Sequence, residues 1–288
     1  MTIYSLGSIN IDHVYRVPHL AHPGETLAAI GYSMGLGGKG ANQSVAAAQA
    51  GARVLHIGAI GKEADWVLGE LQGYGVDTSH VQQLATPTGH AIIQVDLAAE
   101  NTITLFAGAN RQITESQVAK VLATARPGDT LLMQNETSAQ SASARLAVGI
   151  GLRTLYSPAP FELAPLKEVV PYAALLLMNA GEAKEMVAAF GGLPDCDVII
   201  TKGADGAEWH SLGVDPLHIP AFPVIPVDTT GAGDCFAGTI AAALDAGMDR
   251  TQALRRAAAA SALQVTRPGA AVAMPSRAEV DAFLSSAP

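Results

Sequence analysis

Residues 227–244 read VDTTGAGDCFAGTIAAAL. Gly231, Ala232 and Gly233 form a short turn, Asp234 follows at once, and an apolar run begins. Phe236, Ile240 and Leu244 recur at intervals of four, which gives a helix one buried face, and Gly247 is placed to end it. A glycine turn opening into a helix can aim several N–H groups at one point, and with the helix dipole such a terminus binds anions. Asp234 falls in the first helical turn. A carboxylate there favours the helix dipole by less than about 1 kcal/mol on a surface. Beside a bound phosphate it gains another use, because it can take a hydroxyl proton while a phosphoryl group arrives. The helix terminus is expected to keep Asp234 ionised, so that its action depends on position rather than on a raised pKa.

Outward from this segment, short apolar runs alternate with helix-like stretches. TIYSLGSI, RVLHIGAI, DTLLMQ, RTLYS, AALLLMN and DVIITKG read as strands. Between several of them, ANQSVAAAQAG, ESQVAKVLATAR, SAQSASARLAVGI, FELAPLKEVV and GEAKEMVAAFGG carry apolar residues at helical spacing. This alternation implies parallel strands joined by right-handed crossovers, hence an α/β fold. The central runs are apolar throughout, as strands covered on both faces are. Two stretches, about 11–37 and 87–108, break the pattern and read as strand and turn, with HAIIQVDL and NTITLFAG flanking AAEN as a hairpin. They are expected to form a small sheet beside one main domain spanning 1–288. From Thr251 onward the chain reads as helical, with a break at TRPGAAVAMP.

With 49% hydrophobic and 15% charged residues in 288, a sizeable core is within reach. Against 17 basic residues stand 26 acidic ones, a net charge of -9, which argues against nucleic acid as a partner. Cys196 and Cys235 form no Cys-x-x-Cys pair and read as reduced thiols. The start, MTIYSLGSINID, lacks a basic n-region, and no apolar run is long enough for a bilayer. A cytoplasmic protein without a membrane partner is expected.

GLGGKG contains Gly35, Gly37 and Gly40, a literal G-x-G-x-x-G. Taken alone it suggests a nicotinamide-dependent oxidoreductase. Its context opposes that reading, since it does not follow the first strand of a βαβ unit and Lys39 sits inside the turn. A Walker A loop fails as well, because Ser33 stands where glycine is needed and Gly40 follows the lysine.

GGKGANQSVAAAQAGA and DTTGAGDCFAG, distant and in this order, resemble the two signature segments of the ribokinase-like (PfkB) carbohydrate kinases. GSINID, HPGET, LFAGAN, LLMQNETS, SPAP, ITKGADG and VTRPGA are similar too, so the resemblance runs over nearly the whole chain. It implies a three-layer α/β/α ribokinase-like fold with a mainly parallel central sheet and a small β-sheet lid. It also implies transfer of the γ-phosphoryl group of ATP to a sugar hydroxyl. D-ribose is the first acceptor to consider, with another pentose, a hexose or a nucleoside as alternatives. A homodimer formed through the lid is implied as well.

The resemblance carries over to particular residues. Asn10, Asp12, Gly38, Lys39, Asn42, Glu136 and Asp234 fall on sugar-binding positions, and Asp234 on the catalytic base. A neutral polyol needs paired donors and acceptors, which these side chains supply. Gly231, Ala232 and Gly233 fall on the anion hole. Asn179 and Glu182 match a pair near the triphosphate, with Glu182 reaching Mg²⁺ through water, while Thr201, Gly203 and Gly206 match the nucleotide segment. Lys202 either contacts phosphate or points outward. Asp228 and the carbonyl of Thr230 fall on ligands of a monovalent cation such as K⁺, but Ala273 stands where the family has a serine. His90 replaces an apolar lid residue and is either a surface histidine or a polar contact to substrate. Asn135 and Ser157 also depart from the family pattern, and the stretch Gly191 to Cys196 is short.

Overall fold

The structure is a computed structural model that describes residues 1–98 and 100–286. The chain begins with β1 (Thr2–Leu6), β2 (Asn10–Arg16), β3 (Gly31–Gly37), α1 (Lys39–Gln49) and β4 (Arg53–Gly61). Then come α2 (Asp65–Gly73), β5 (Val76–Leu84), β6 (Gly89–Val95) and β7 (Asn101–Phe106). The middle comprises α3 (Glu115–Leu122), β8 (Thr130–Gln134), α4 (Gln140–Ile150), β9 (Arg153–Ser157), α5 (Leu163–Val169), β10 (Leu175–Asn179) and α6 (Ala180–Phe190). Last are β11 (Asp197–Thr201), β12 (Ala207–Ser211), β13 (Val214–Ile219), α7 (Ala232–Asp245), α8 (Arg250–Gln264) and α9 (Arg277–Ser286).

Nine strands form the central sheet in the order β13-β12-β11-β10-β9-β8-β1-β4-β5. The run from β11 to β5 is parallel, and the β12–β13 hairpin closes one edge antiparallel. Parallel strands carry helices on both faces, and alternate residues show it. In β10, Leu175 and Leu177 join a core with α1, α7 and α8, while Leu176 and Met178 join the opposite core with α3 to α6. The result is the expected three-layer α/β/α arrangement. The chain turns back between β1 and β8, and in open α/β sheets ligands bind at such a reversal, beyond the carboxyl ends of the strands.

The second sheet has the order β3-β2-β6-β7. Its outer pairs are antiparallel, but β2 and β6 run parallel, so the sheet is mixed. Four elements escape the sequence pattern. Helix α2 precedes the polar edge strand β5, and the β12–β13 hairpin turns on Leu212 and Gly213, where φ of +70° suits glycine. No helix among the described residues is long and apolar enough to cross a membrane.

Candidate active site

The reversal between β1 and β8 brings together the loop after β1, the start of α1 and the loop after β8. Gly40 permits this closeness, since a Cβ there would lie 2.3 Å from the Gly7 Cα. Gly38 has φ of +94° and caps α1. The glycines of GLGGKG therefore serve a sheet-to-helix corner. Gly35 and Gly37 lie in β3 of the second sheet, so the turn into α1 does not follow a strand of the parallel βαβ sheet, as a dinucleotide site requires.

Around this corner lie most of the expected sugar-binding groups. Glu136 accepts from the Ser8 hydroxyl and, at 3.2 Å, from the Lys39 N–H. Asn10 is buried, and its Oδ1 accepts at 2.8 Å from Asn110, whose side chain also bonds the Ile9 backbone. Asp12 projects past Gly37, where a Cβ would touch its carboxylate. Burial, aided by the charge of Glu136, raises the Asp12 pKa to about 6.

Asp234 sits within this group, in the first turn of α7 and only 8% exposed. Asn42 Nδ2 donates to its Oδ2 at 3.1 Å and Gln43 Nε2 to its Oδ1 at 3.0 Å, while Gln134 Nε2 donates to Gln43 Oε1 at 2.7 Å. Helices α1 and α7 pack closely enough for this because Gly238 has no side chain, and a Cβ there would meet the Gln43 carbonyl at 2.4 Å. The expectation for Asp234 needs correction. Burial pushes its carboxyl above the usual aspartate range, and Lys39, Gln43 and Asn42 only partly offset this. The helix terminus gives partial charges near the group, but desolvation penalises the full charge on it. For Lys39 the balance is reversed. Burial alone would lower its pKa, but Asp234, Glu136 and Glu182 together hold it above the ordinary value.

The turn before α7 is left-handed at Gly231, with φ of +80°. Of the three amides expected to converge, that of Ala232 donates to the Thr229 carbonyl at 3.2 Å. Those of Gly231 and Gly233 have no protein acceptor among the described residues. Gly233 and Ala232 line a cleft of about 560 Å³ together with Thr201, Gly203 and Gly206. The rest of its lining is mainly apolar, with Phe222, Pro223, Val224, Ala258 and Val265 beside the hydroxyl residues Thr229 and Ser261. A cavity of about 400 Å³ between α3 and α4, lined by Val118 and Leu146, contains none of these groups.

Asn179 and Glu182 form a capping box on α6: Glu182 N–H donates to Asn179 Oδ1 at 2.9 Å, and Asn179 N–H to Glu182 Oε2 at 2.8 Å. Burial raises the Glu182 pKa; its Asn179 hydrogen bond and Lys39 oppose that, and Glu185 and Asp234 add to it. Lys202 pairs with Glu208 at 2.5 Å and is not among the residues lining the cleft. Asn135 is buried and donates to the Pro160 carbonyl at 2.8 Å, so it braces the loop beside Glu136.

The oxygens expected at a monovalent cation are already engaged by protein donors. Asp228 accepts from Thr230 N–H at 2.9 Å and from Gly269 N–H at 2.8 Å. Burial would raise its pKa, but these two donations together with the Thr230 side chain outweigh it and the net shift is downward. The Thr230 carbonyl accepts from the Gln264 side chain at 2.8 Å.

In the second sheet, Asp12 aligns with Ala91 and His90 with Ile11 and Phe106. Side chains alternate along a strand, so Asp12 and His90 lie on opposite faces. His90 stands instead in an aromatic group with His13, at 5.9 Å, and Phe106, at 5.1 Å between ring centroids. Sequence reading missed Ser8, Gln43, Asn110, Gln134 and Gln264. The signal available was two adjacent amides, Asn42 and Gln43, in an otherwise alanine-rich helix.

A family model described as "pfkB family carbohydrate kinase" matches residues 2–277. A ribokinase of Haemophilus influenzae is 35% identical over 305 residues, covering 99% of this chain and 99% of that protein. The structure of a ribokinase from Cryptococcus neoformans var. grubii in complex with ADP has a TM-score of 0.86 at 32% identity, covering 98% of each chain. That of an Arabidopsis thaliana ribokinase complexed with ribose and ATP has a TM-score of 0.86 at 26% identity, covering 98% of this chain and 97% of that one.

Proposed function

The chain belongs to the pfkB family of carbohydrate kinases, and from that premise we propose that it transfers the γ-phosphoryl group of ATP to D-ribose, giving ribose 5-phosphate. The observation that carries the reading is the position of one carboxylate between two spaces. Asp234 is held by Asn42 and Gln43 on the side that bears Lys39 and Glu136, while its chain neighbour Gly233 lines the 560 Å³ cleft. An acceptor alcohol on one side and a nucleotide on the other would meet at that carboxylate. The ribose and nucleotide complexes of the relatives support the same two ligands.

In this account Asp12, Glu136 and Asn10 bind sugar hydroxyls. Asn42 presents a buried Oδ1 without a partner among the described residues, an acceptor suited to another hydroxyl. Asp234 accepts the proton of the attacking hydroxyl, and its raised pKa makes it a stronger base than an exposed aspartate. The amides of Gly231 and Gly233, with the α7 dipole, stabilise charge on the moving phosphoryl group. Lys39 offsets phosphate charge from the sugar side. Thr201, Gly203 and Gly206 border the nucleotide, and Phe222 and Ala258 offer an apolar wall to its base. The charges of Asp234 and Glu182 act on Lys39 and on each other, and such carboxylates suit a hard divalent ion, so Glu182 and water would hold Mg²⁺, which when bound neutralises phosphate charge. The second sheet acts as a lid that excludes water. Tyr32, Met34 and Phe106 leave apolar surface on the face shared with His90, and a second copy of the chain covers it in a homodimer.

The direct test is ADP release with Mg²⁺ and ATP over a panel of pentoses, hexoses and nucleosides, with the product located by NMR. Ribose is expected to have the highest kcat/KM and to be phosphorylated at its primary hydroxyl. Preference for another acceptor would move the substrate assignment, and no transfer to any of them would refute the reading.

A further inference from the structure

Gln264, the last residue of α8, is fully buried. Its Nε2 donates to the Thr230 carbonyl at 2.8 Å and to the Gly269 carbonyl at 3.1 Å. Only a donor can join two carbonyls, so chemistry fixes which way this amide points. Its Oε1 is buried and has no partner among the described residues. An unpaired buried acceptor is costly, so what this side chain contributes comes from its nitrogen. The same two residues are also joined from their other side, where Asp228 accepts from the N–H groups of both Thr230 and Gly269.

This double clamp lies against the glycine turn. Thr230 is the residue before Gly231, and a Cβ on Gly231 would come within 2.9 Å of the Ala270 Cβ. The position of the 265–270 loop therefore bears on where the Gly231 and Gly233 amides point. A monovalent cation in this place would draw the same carbonyls together, but it would have to displace the amide nitrogen that already joins them. Ala273, buried nearby in the chain, adds no hydroxyl oxygen.

We propose that the Gln264 side-chain amide is a built-in replacement for an activating monovalent cation, tying the Thr230 and Gly269 carbonyls so that the turn at 231–233 is set without such an ion. Gln264 is a positioning residue here, and its link to turnover rests on the kinase reading above. The test uses the full chain, freed of K⁺ and Na⁺, in choline chloride and in potassium chloride at equal ionic strength. Wild-type kcat and melting midpoint are expected to be the same in both salts. Gln264→Ala is expected to lose about tenfold or more in kcat in choline, with sugar KM little changed, because the donors around the phosphoryl group lose their aim. Potassium should restore much of that loss and raise the variant's melting midpoint saturably.

Wild-type activity that depends on K⁺ would overturn the proposal, as would a Gln264→Ala enzyme as active in choline as the wild type. If that variant does not fold, Gln264→Glu decides. Its carboxylate would face two carbonyls, so its melting midpoint should be low in choline and rise with K⁺; a midpoint indifferent to K⁺ would count against the clamp. Absence of phosphoryl transfer in every sample would reject the kinase reading instead, and the melting midpoints would still judge Gln264.

Discussion

Replacing Asp12 by asparagine removes a charge that the fold holds against its preference. Burial and the neighbouring Glu136 carry the Asp12 pKa from 3.8 to about 6. That is a rise of about two pH units, and at about 1.4 kcal/mol per unit the ionised carboxylate destabilises the folded state by about 3 kcal/mol. The sign follows from proton binding. Above about pH 6 both folded and unfolded states are ionised and the full cost is present. As pH falls from about 6 to 3.8, the folded state holds a proton that the unfolded state does not, and the wild type recovers stability. Asparagine has the same shape beside Gly37 and carries no such proton. Urea unfolding should therefore find Asp12→Asn more stable than the wild type at pH 8, by as much as about 3 kcal/mol. The advantage should shrink by about 1.4 kcal/mol per pH unit below pH 6. The variant should also show a much higher KM for ribose, since stability and sugar binding oppose each other at this residue. A variant less stable than the wild type at pH 8, or an offset independent of pH, would refute the reasoning.

Other tests are independent of that one. His56 is fully buried between the Ser44 hydroxyl and the Gly7 carbonyl, and burial lowers its pKa to about 4. The folded state thus refuses a proton that the unfolded state takes, and this group should remove about 1.4 kcal/mol per pH unit as pH falls from 6.5 towards 4. Asp12 titrates in the opposite sense there, so the readout is the difference in urea stability between wild type and His56→Gln, which should vary with pH. Gly238→Ala should destabilise by about 1–3 kcal/mol and lower kcat, because its methyl group would force α1 from α7 where Asn42 and Gln43 meet Asp234. Gly149→Ala, in α4 with open space around it, should be neutral or stabilising in the same melts. Glu182→Gln keeps a capping-box acceptor, so its melting midpoint should hold while the Mg²⁺ dependence of turnover weakens.

The layered fold was legible because β8, β10 and β11 are covered on both faces and carry unbroken apolar runs, LLM, LLLM and VII. Strand β5 was not, because VDTSHVQQL is an edge strand with one wet face and a polar sequence. The hairpin of β12 and β13 was hidden by His210, Pro216 and His218, although Gly213 marked its turn. At the site, glycines could be read for what they permit, but not for what comes close. Gln43 was missed because a glutamine in a helix ordinarily faces water, and only the packing of α7 at Gly238 brings it to Asp234. The Asp234 pKa went astray for the same reason, since sequence places a helix terminus but not the desolvation around it. His90 and Asp12 needed the β2–β6 register to be assigned to opposite faces. Gln264 was unreadable because a polar residue ending an alanine-rich helix ordinarily faces water.

The central claim concerns Asp234, and a single variant addresses it. Asp234→Asn keeps the shape of the side chain while removing the proton acceptor from between Asn42 and Gln43. Rapid-quench single-turnover measurement with ribose and Mg·ATP isolates the transfer step. The rate constant is expected to fall by roughly 10² to 10⁴, with nucleotide affinity and melting midpoint close to wild type or the latter raised. Transfer at an undiminished rate in that variant would contradict the account.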